Sequence, residues 1–92
     1  MKYEILLTAS AEREIRKLPS SVQDDIFEKI KGLEENPRPH GYKRLTNFDV
    51  PNIKLKPPYR VRVGDYRVIF AIQDVIITIT VVKIAHRKEV YE

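Results

Sequence analysis

Three arginines in the stretch Tyr59-Arg60-Val61-Arg62-Val63-Gly64-Asp65-Tyr66-Arg67-Val68-Ile69-Phe70 are spaced so that a β-hairpin forces them together. Gly64-Asp65 is a glycine-first two-residue linker, the composition of a type II′ turn. A loop of that length sets the register, pairing Val63 with Tyr66, Arg62 with Arg67, Val61 with Val68 and Arg60 with Ile69. Because side chains alternate, Arg60, Arg62 and Arg67 share one face while Tyr59, Val61, Val63, Tyr66, Val68, Phe70 and Ile72 share the other. Opposed Cβ atoms lie roughly 5 Å apart, and like charges there destabilise a sheet. At an effective dielectric constant of about 20 the repulsion is about 3 kcal/mol, an upper bound for side chains that splay into water. Folding gains nothing from this. A bound polyanion supplies a reason, since guanidinium forks match phosphate oxygens in bidentate geometry. A solvated edge with splayed arginines is the alternative; it suffices for one pair, but three arginines on one face favour the anion.

The rest of the chain has to hold that hairpin. Ninety-two residues make one domain, spanning 1–92, with a single core. A hydrophobic content of 42% with 33% charged residues is globular rather than disordered. With no cysteine, disulfides and thiolate metal sites are excluded, and two histidines in no helical pairing give no metal site. Val75–Val82, the one long apolar run, is too short to span a bilayer, and no charged segment followed by an apolar one resembles a signal peptide. A cytoplasmic location is expected. Charge is divided unevenly. Residues 1–37 carry six Lys/Arg against eight Asp/Glu, a net −2, and residues 38–92 carry eleven against five, a net +6, which together give +4. Such a basic half points to nucleic acid or an acidic protein.

Residues 2–8 read as a first strand. Ser10 is the expected N-cap of a helix bearing Ala11, Ile15 and Leu18, which Pro19 stops. Ser21 with Asp24 resembles a capping pair for a second helix, whose Val22, Ile26, Ile30 and Leu33 form an apolar stripe. Short strands are expected at Lys43–Leu45 and Ile53–Leu55, and Val75–Ile84 is apolar enough to be a central strand. The order implies an α+β fold: a two-helix amino-terminal hairpin packed on a mostly antiparallel four- to five-stranded sheet. The helices are expected to cover the Tyr/Val/Phe face and leave the arginine face open, with Thr78 and Thr80 beside it.

Taken together, these residues resemble the RelE toxins of the RelE/ParE superfamily. The resemblance spans the chain: the first strand, the helical hairpin ending Glu35-Asn36-Pro37-Arg38, Lys43-Arg44-Leu45, the hairpin above, and His86-Arg87-Lys88-Glu89-Val90-Tyr91. It implies a cofactor-free, metal-independent toxin neutralised by a RelB-like antitoxin. Such a toxin enters the ribosomal A site, on the small subunit, and cleaves translated mRNA by attack of a ribose 2′-OH on the adjacent phosphate. Arg67 then matches the strand arginine that clamps the scissile phosphate. Arg87 matches a carboxyl-terminal arginine that stabilises charge or the leaving group. Tyr91 matches a tyrosine that stacks on a base or orients the 2′-OH. Arg60 and Arg62 stand where relatives carry lysines, one of them proposed as general base. Arginine holds phosphate but is always protonated and a poor base. His86 is the nearest neutral base, set against the plainer reading that it caps the strand end. Tyr91 could equally pack its ring on the sheet. Lys43, Arg44, Lys54 and Lys56 are expected RNA contacts, the last two alternatively an exposed rim, and His40 is assigned no chemistry. The Asn47–Pro58 loop is longer than its counterpart in many relatives. Two other classes share these features: a gyrase inhibitor of the ParE kind, and an RNA-binding relative with weakened catalysis.

Overall fold

The Gly64-Asp65 linker does what its composition requires. Gly64 adopts φ +60° while Asp65 stays out of the left-handed region, as in a type II′ turn. It joins β3 (Pro58–Val63) to β4 (Tyr66–Gln73) in the expected register, Val63 opposite Tyr66 and Arg62 opposite Arg67. This is a computed structural model, and it describes residues 2–45 and 58–86. Before the hairpin come β1 (Glu4–Leu7), α1 (Ala9–Arg16), α2 (Ser20–Leu33) and the two-residue β2 (Lys43–Arg44); β5 (Thr78–His86) follows it. The five strands are ordered β1-β5-β4-β3-β2. β1 runs parallel to β5 and every other pair is antiparallel, so the α+β architecture is as expected. The strand expected at Ile53–Leu55 lies outside the described residues.

Both helices pack on one face of the sheet. Ala11 and Ile15 from α1, and Ile26, Ile30 and Leu33 from α2, are buried against Val61, Val68, Phe70, Ile79, Val81 and Ile84. These are the apolar stripe and the Tyr/Val/Phe face anticipated from spacing. The caps differ. Thr8, not Ser10, caps α1: its Oγ1 accepts from the Ala11 N–H at 3.1 Å, and Ser10 lies inside the first turn. Pro19 occupies the cap of α2, where it has no side-chain acceptor, and the N–H groups of Val22 and Gln23 bond to its carbonyl instead. Ser21 is thus already helical and forms no cap with Asp24. Gln23 Nε2 closes the junction by donating to the Leu18 carbonyl at 2.7 Å.

Two further departures arise in the central strands. Val75–Ile77 is a turn rather than strand: Ile77 N donates to Asp74 O, and Ile77 sits at φ +50°. Its apolar, β-branched composition imitates a strand, yet Val75 is 97% exposed. The arginine face is also not open. Leu45, Ile69, Val82 and Ala85 form a second buried cluster there, with Arg60 and Arg67 buried beside it. β4 lies in the middle of the sheet and alternates arginine with apolar residues on that side, so Ile69 and Ala71 require cover as much as Phe70 does.

Candidate functional site

Register places five cations on one face: Lys43, Arg60 and Lys83 in the row through Ile69, and Arg62 opposite Arg67, with the Lys83 ammonium drawn off to Glu14. The row of Arg62 and Arg67 ends on Ala85 of β5, whose small side chain leaves room for a guanidinium stem. Exposure then divides the set. Arg62 and Lys43 face solvent, whereas Arg67 is 7% exposed and Arg60 2%. Arg60 turns into the protein, where its Nη1 donates to the Gly41 carbonyl at 3.1 Å. Gly41 has φ +88°, so Arg60 braces a left-handed turn that leads directly into β2. Arg44 pairs with Tyr59 and falls on the opposite, helix-bearing side of the sheet.

His86 is also on that other side. Plain alternation from Thr78 and Thr80 would put residue 86 on the arginine face, but β5 carries a bulge. Phe70 pairs with Val81 and Ile69 with Lys83, so Val82 is the extra residue. The bulge inverts the alternation beyond it. His86 therefore pairs with Tyr66, the two rings 5.3 Å apart and nearly perpendicular at 86°. Arg87, Tyr91, Lys54 and Lys56 lie outside the described residues.

A face of paired arginines on this two-helix, five-stranded frame can be compared with known proteins. The family described as the ParE toxin of type II toxin–antitoxin systems matches residues 5–91. The chain belongs to the RelE/ParE toxin family. A curated relative, Toxin RelE of Mycobacterium tuberculosis, is 33% identical over 90 residues, covering 97% of this chain and 86% of the relative. Among solved structures, the RelE–RelB complex of Pyrococcus horikoshii OT3 superposes with a TM-score of 0.80 at 24% identity, over 98% of this toxin and 100% of that chain. The toxin–antitoxin complex RelBE2 of Mycobacterium tuberculosis gives 0.76 at 26% identity, over 95% and 93%.

Two features of the toxin are barely marked in the sequence or not at all. At the end of the sheet away from Arg62 and Arg67, Asp74 receives the Tyr3 hydroxyl at 2.6 Å and Arg38 Nη2 at 2.9 Å. The Arg38 guanidinium, and then the Tyr3 hydroxyl, hold the Asp74 carboxyl below the usual carboxylate range. The Tyr3 hydroxyl is in turn raised, chiefly by its bond to Asp74. The second feature is a groove of about 450 Å³ along α2, running from Asn36 and Pro39 past Gly32 to Val63. Gly32 within a helix is the only hint of it: a Cβ there would meet nothing within 4 Å.

Proposed function

We propose that this toxin is a ribosome-dependent endoribonuclease that halts translation by cutting mRNA. The observation that carries the reading is the direct opposition of Arg62 and Arg67, two like charges whose mutual repulsion a bound phosphate would relieve. In the proposed reaction the ribose 2′-oxygen attacks the adjacent phosphorus. The bond from phosphorus to the 5′-oxygen breaks, leaving a cyclic phosphate and a 5′-hydroxyl. The 2′-OH proton passes to a base, and the 5′-oxygen receives one from an acid. Arg62, exposed at the sheet surface, grips the phosphate. Arg67 opposite it stabilises the charge that develops on the phosphorane, the kind of preorganised electrostatics that supplies much of an enzyme's rate. Lys43 lies on the same face and tracks the RNA backbone, while Arg60 holds β2 in place through Gly41. Arg87 and Tyr91 take the leaving-group and base-orienting roles that their resemblance to the family implies. Since His86 stands against Tyr66, the reaction relies on charge stabilisation more than on an imidazole base.

The reading extends to a cognate RelB-like antitoxin, supported by relatives solved as RelE–RelB complexes, including those of Pyrococcus horikoshii and Methanococcus jannaschii. A gyrase-inhibiting function is the second reading, favoured by one observation: the matching family is described by its ParE members. Induction without antitoxin, followed by primer extension on cellular mRNA, separates the two. New ends within translated codons support the nuclease; unchanged mRNA ends with gyrase-dependent DNA breaks reject it.

A further inference from the structure

The strand that ends at His86 outruns its neighbour. β1 stops at Leu7, opposite Val81, while β5 continues for five more residues with β4 on its other side. The backbone groups that β1 leaves behind are taken up by α1 and its cap. Thr8 N donates to Val81 O at 3.0 Å, and Thr8 Oγ1 donates to Val82 O at 3.1 Å. One turn further, the Glu14 carboxylate replaces a strand outright. Its Oε1 accepts the Ile84 N–H at 3.1 Å, and its Oε2 receives Lys83 Nζ at 2.7 Å. These contacts bracket the extra residue Val82, and the bulge decides which face each later residue of β5 occupies.

We propose that Glu14 is a positioning residue: by gripping Lys83 and Ile84 it locks the β5 bulge and so fixes the register of Ala85 and His86 against Arg67 and Tyr66. Slippage of β5 by one residue would exchange Ala85 and His86 across the sheet, placing an imidazole where Arg67 needs a methyl-sized neighbour. Glu14 touches no substrate; it acts through the strand. The proposal rests on the nuclease reading for its kinetic arm only.

The test compares Glu14→Ala, Glu14→Gln and Lys83→Met in the full chain by amide hydrogen exchange, NMR and single-turnover cleavage on programmed ribosomes. Loss of a charge-assisted bond to a backbone donor should speed Ile84 exchange by about tenfold to a hundredfold in Glu14→Ala. The ring-current shift of His86 against Tyr66 should collapse. The cleavage rate constant should fall by up to about a hundredfold, as ångström-scale misplacement does, with the half-saturating ribosome concentration unchanged. Glu14→Gln keeps an oxygen on the Ile84 N–H and should restore most of the rate; Lys83→Met, which removes one of the two grips, should fall between the parent and Glu14→Ala. Unchanged Ile84 exchange and ring shift in Glu14→Ala would overturn the proposal, as would a Gln variant as impaired as the Ala variant. If the parent chain cleaves nothing, the nuclease reading fails by itself, and the exchange and ring-shift results still decide the role of Glu14.

Discussion

Replacing Arg62 with glutamine should make the toxin more stable and less toxic. Arg62 and Arg67 are directly opposed on neighbouring strands, and Arg62 is exposed while Arg67 is nearly buried. The repulsion of about 3 kcal/mol at an effective dielectric constant of 20 is a ceiling. Solvent around Arg62 lowers it to the range of exposed charge pairs, about 0.2–1 kcal/mol. For a domain of this size each kcal/mol moves Tm by about 4–8 °C, so Arg62→Gln should raise Tm by about 1–8 °C. Glutamine keeps the stem, so packing is little changed. Arg67→Gln should behave differently: it disturbs a buried guanidinium, lowering stability by about 1–3 kcal/mol. The double-mutant cycle isolates the repulsion, because Arg62→Gln should stabilise the native background and not the Arg67→Gln background. Urea titrations give the four stabilities, and single-turnover cleavage on programmed ribosomes gives the activities. Each single variant should lose about a hundredfold or more in rate. If Arg62→Gln destabilises both backgrounds equally, the arginines do not repel, and the inference of a bound phosphate loses its foundation.

Three other outcomes are expected. Asp74 has a lowered carboxyl pKa, so its ionised form stabilises the fold above the ordinary carboxylate value near 4 and that contribution fades as pH falls through the lowered one. Acid-unfolding curves of the parent and Asp74→Asn should therefore differ at neutral pH and converge in strong acid; curves that stay parallel would contradict this. His86→Ala should reduce cleavage by less than about tenfold, below the usual contribution of general acid–base catalysis, and leave the pH–rate profile without a lost inflection. A loss of a thousandfold would restore the imidazole as base. Ile77→Gly should hold or raise Tm, since a β-branched residue in the left-handed region costs about 1–2 kcal/mol; a fall of several degrees would show that the half-buried side chain matters more.

The sequence announces those parts of the molecule whose physics is local. A two-residue Gly-Asp linker allows one hairpin register, and Ile26, Ile30 and Leu33 at helical spacing allow one buried stripe. What is hidden depends on distant partners. The Val82 bulge has no glycine to mark it, because Thr8 and Glu14 hold it from some 70 residues away. That is why plain alternation places His86 on the wrong face. Tyr3, Arg38 and Asp74 meet across separations of 71 and 36 residues, with no motif to join them. Val75-Ile76-Ile77 misleads for the opposite reason: its side chains favour a strand, while the bonds of Ile77 N to Asp74 and of Glu4 N to Ile77 O require a turn. The same limit applies to the arginines. Spacing shows that Arg60, Arg62 and Arg67 share a face, but which of them reaches solvent is decided by Gly41, Leu45 and Ala85.

The pairing of β1 with β5 has a consequence in time. Among the described residues, the first strand finds its sheet partner only in the last, Glu4 opposite Thr78 and Leu7 opposite Val81. A nascent chain therefore cannot close its core while residues 78–86 remain in the exit tunnel, however early α1 and α2 form. A protein proposed to attack translating ribosomes is thus unfolded for as long as β5 is still inside the ribosome that is making it. Topology delays the assembly of its core until the last described strand is free to pair.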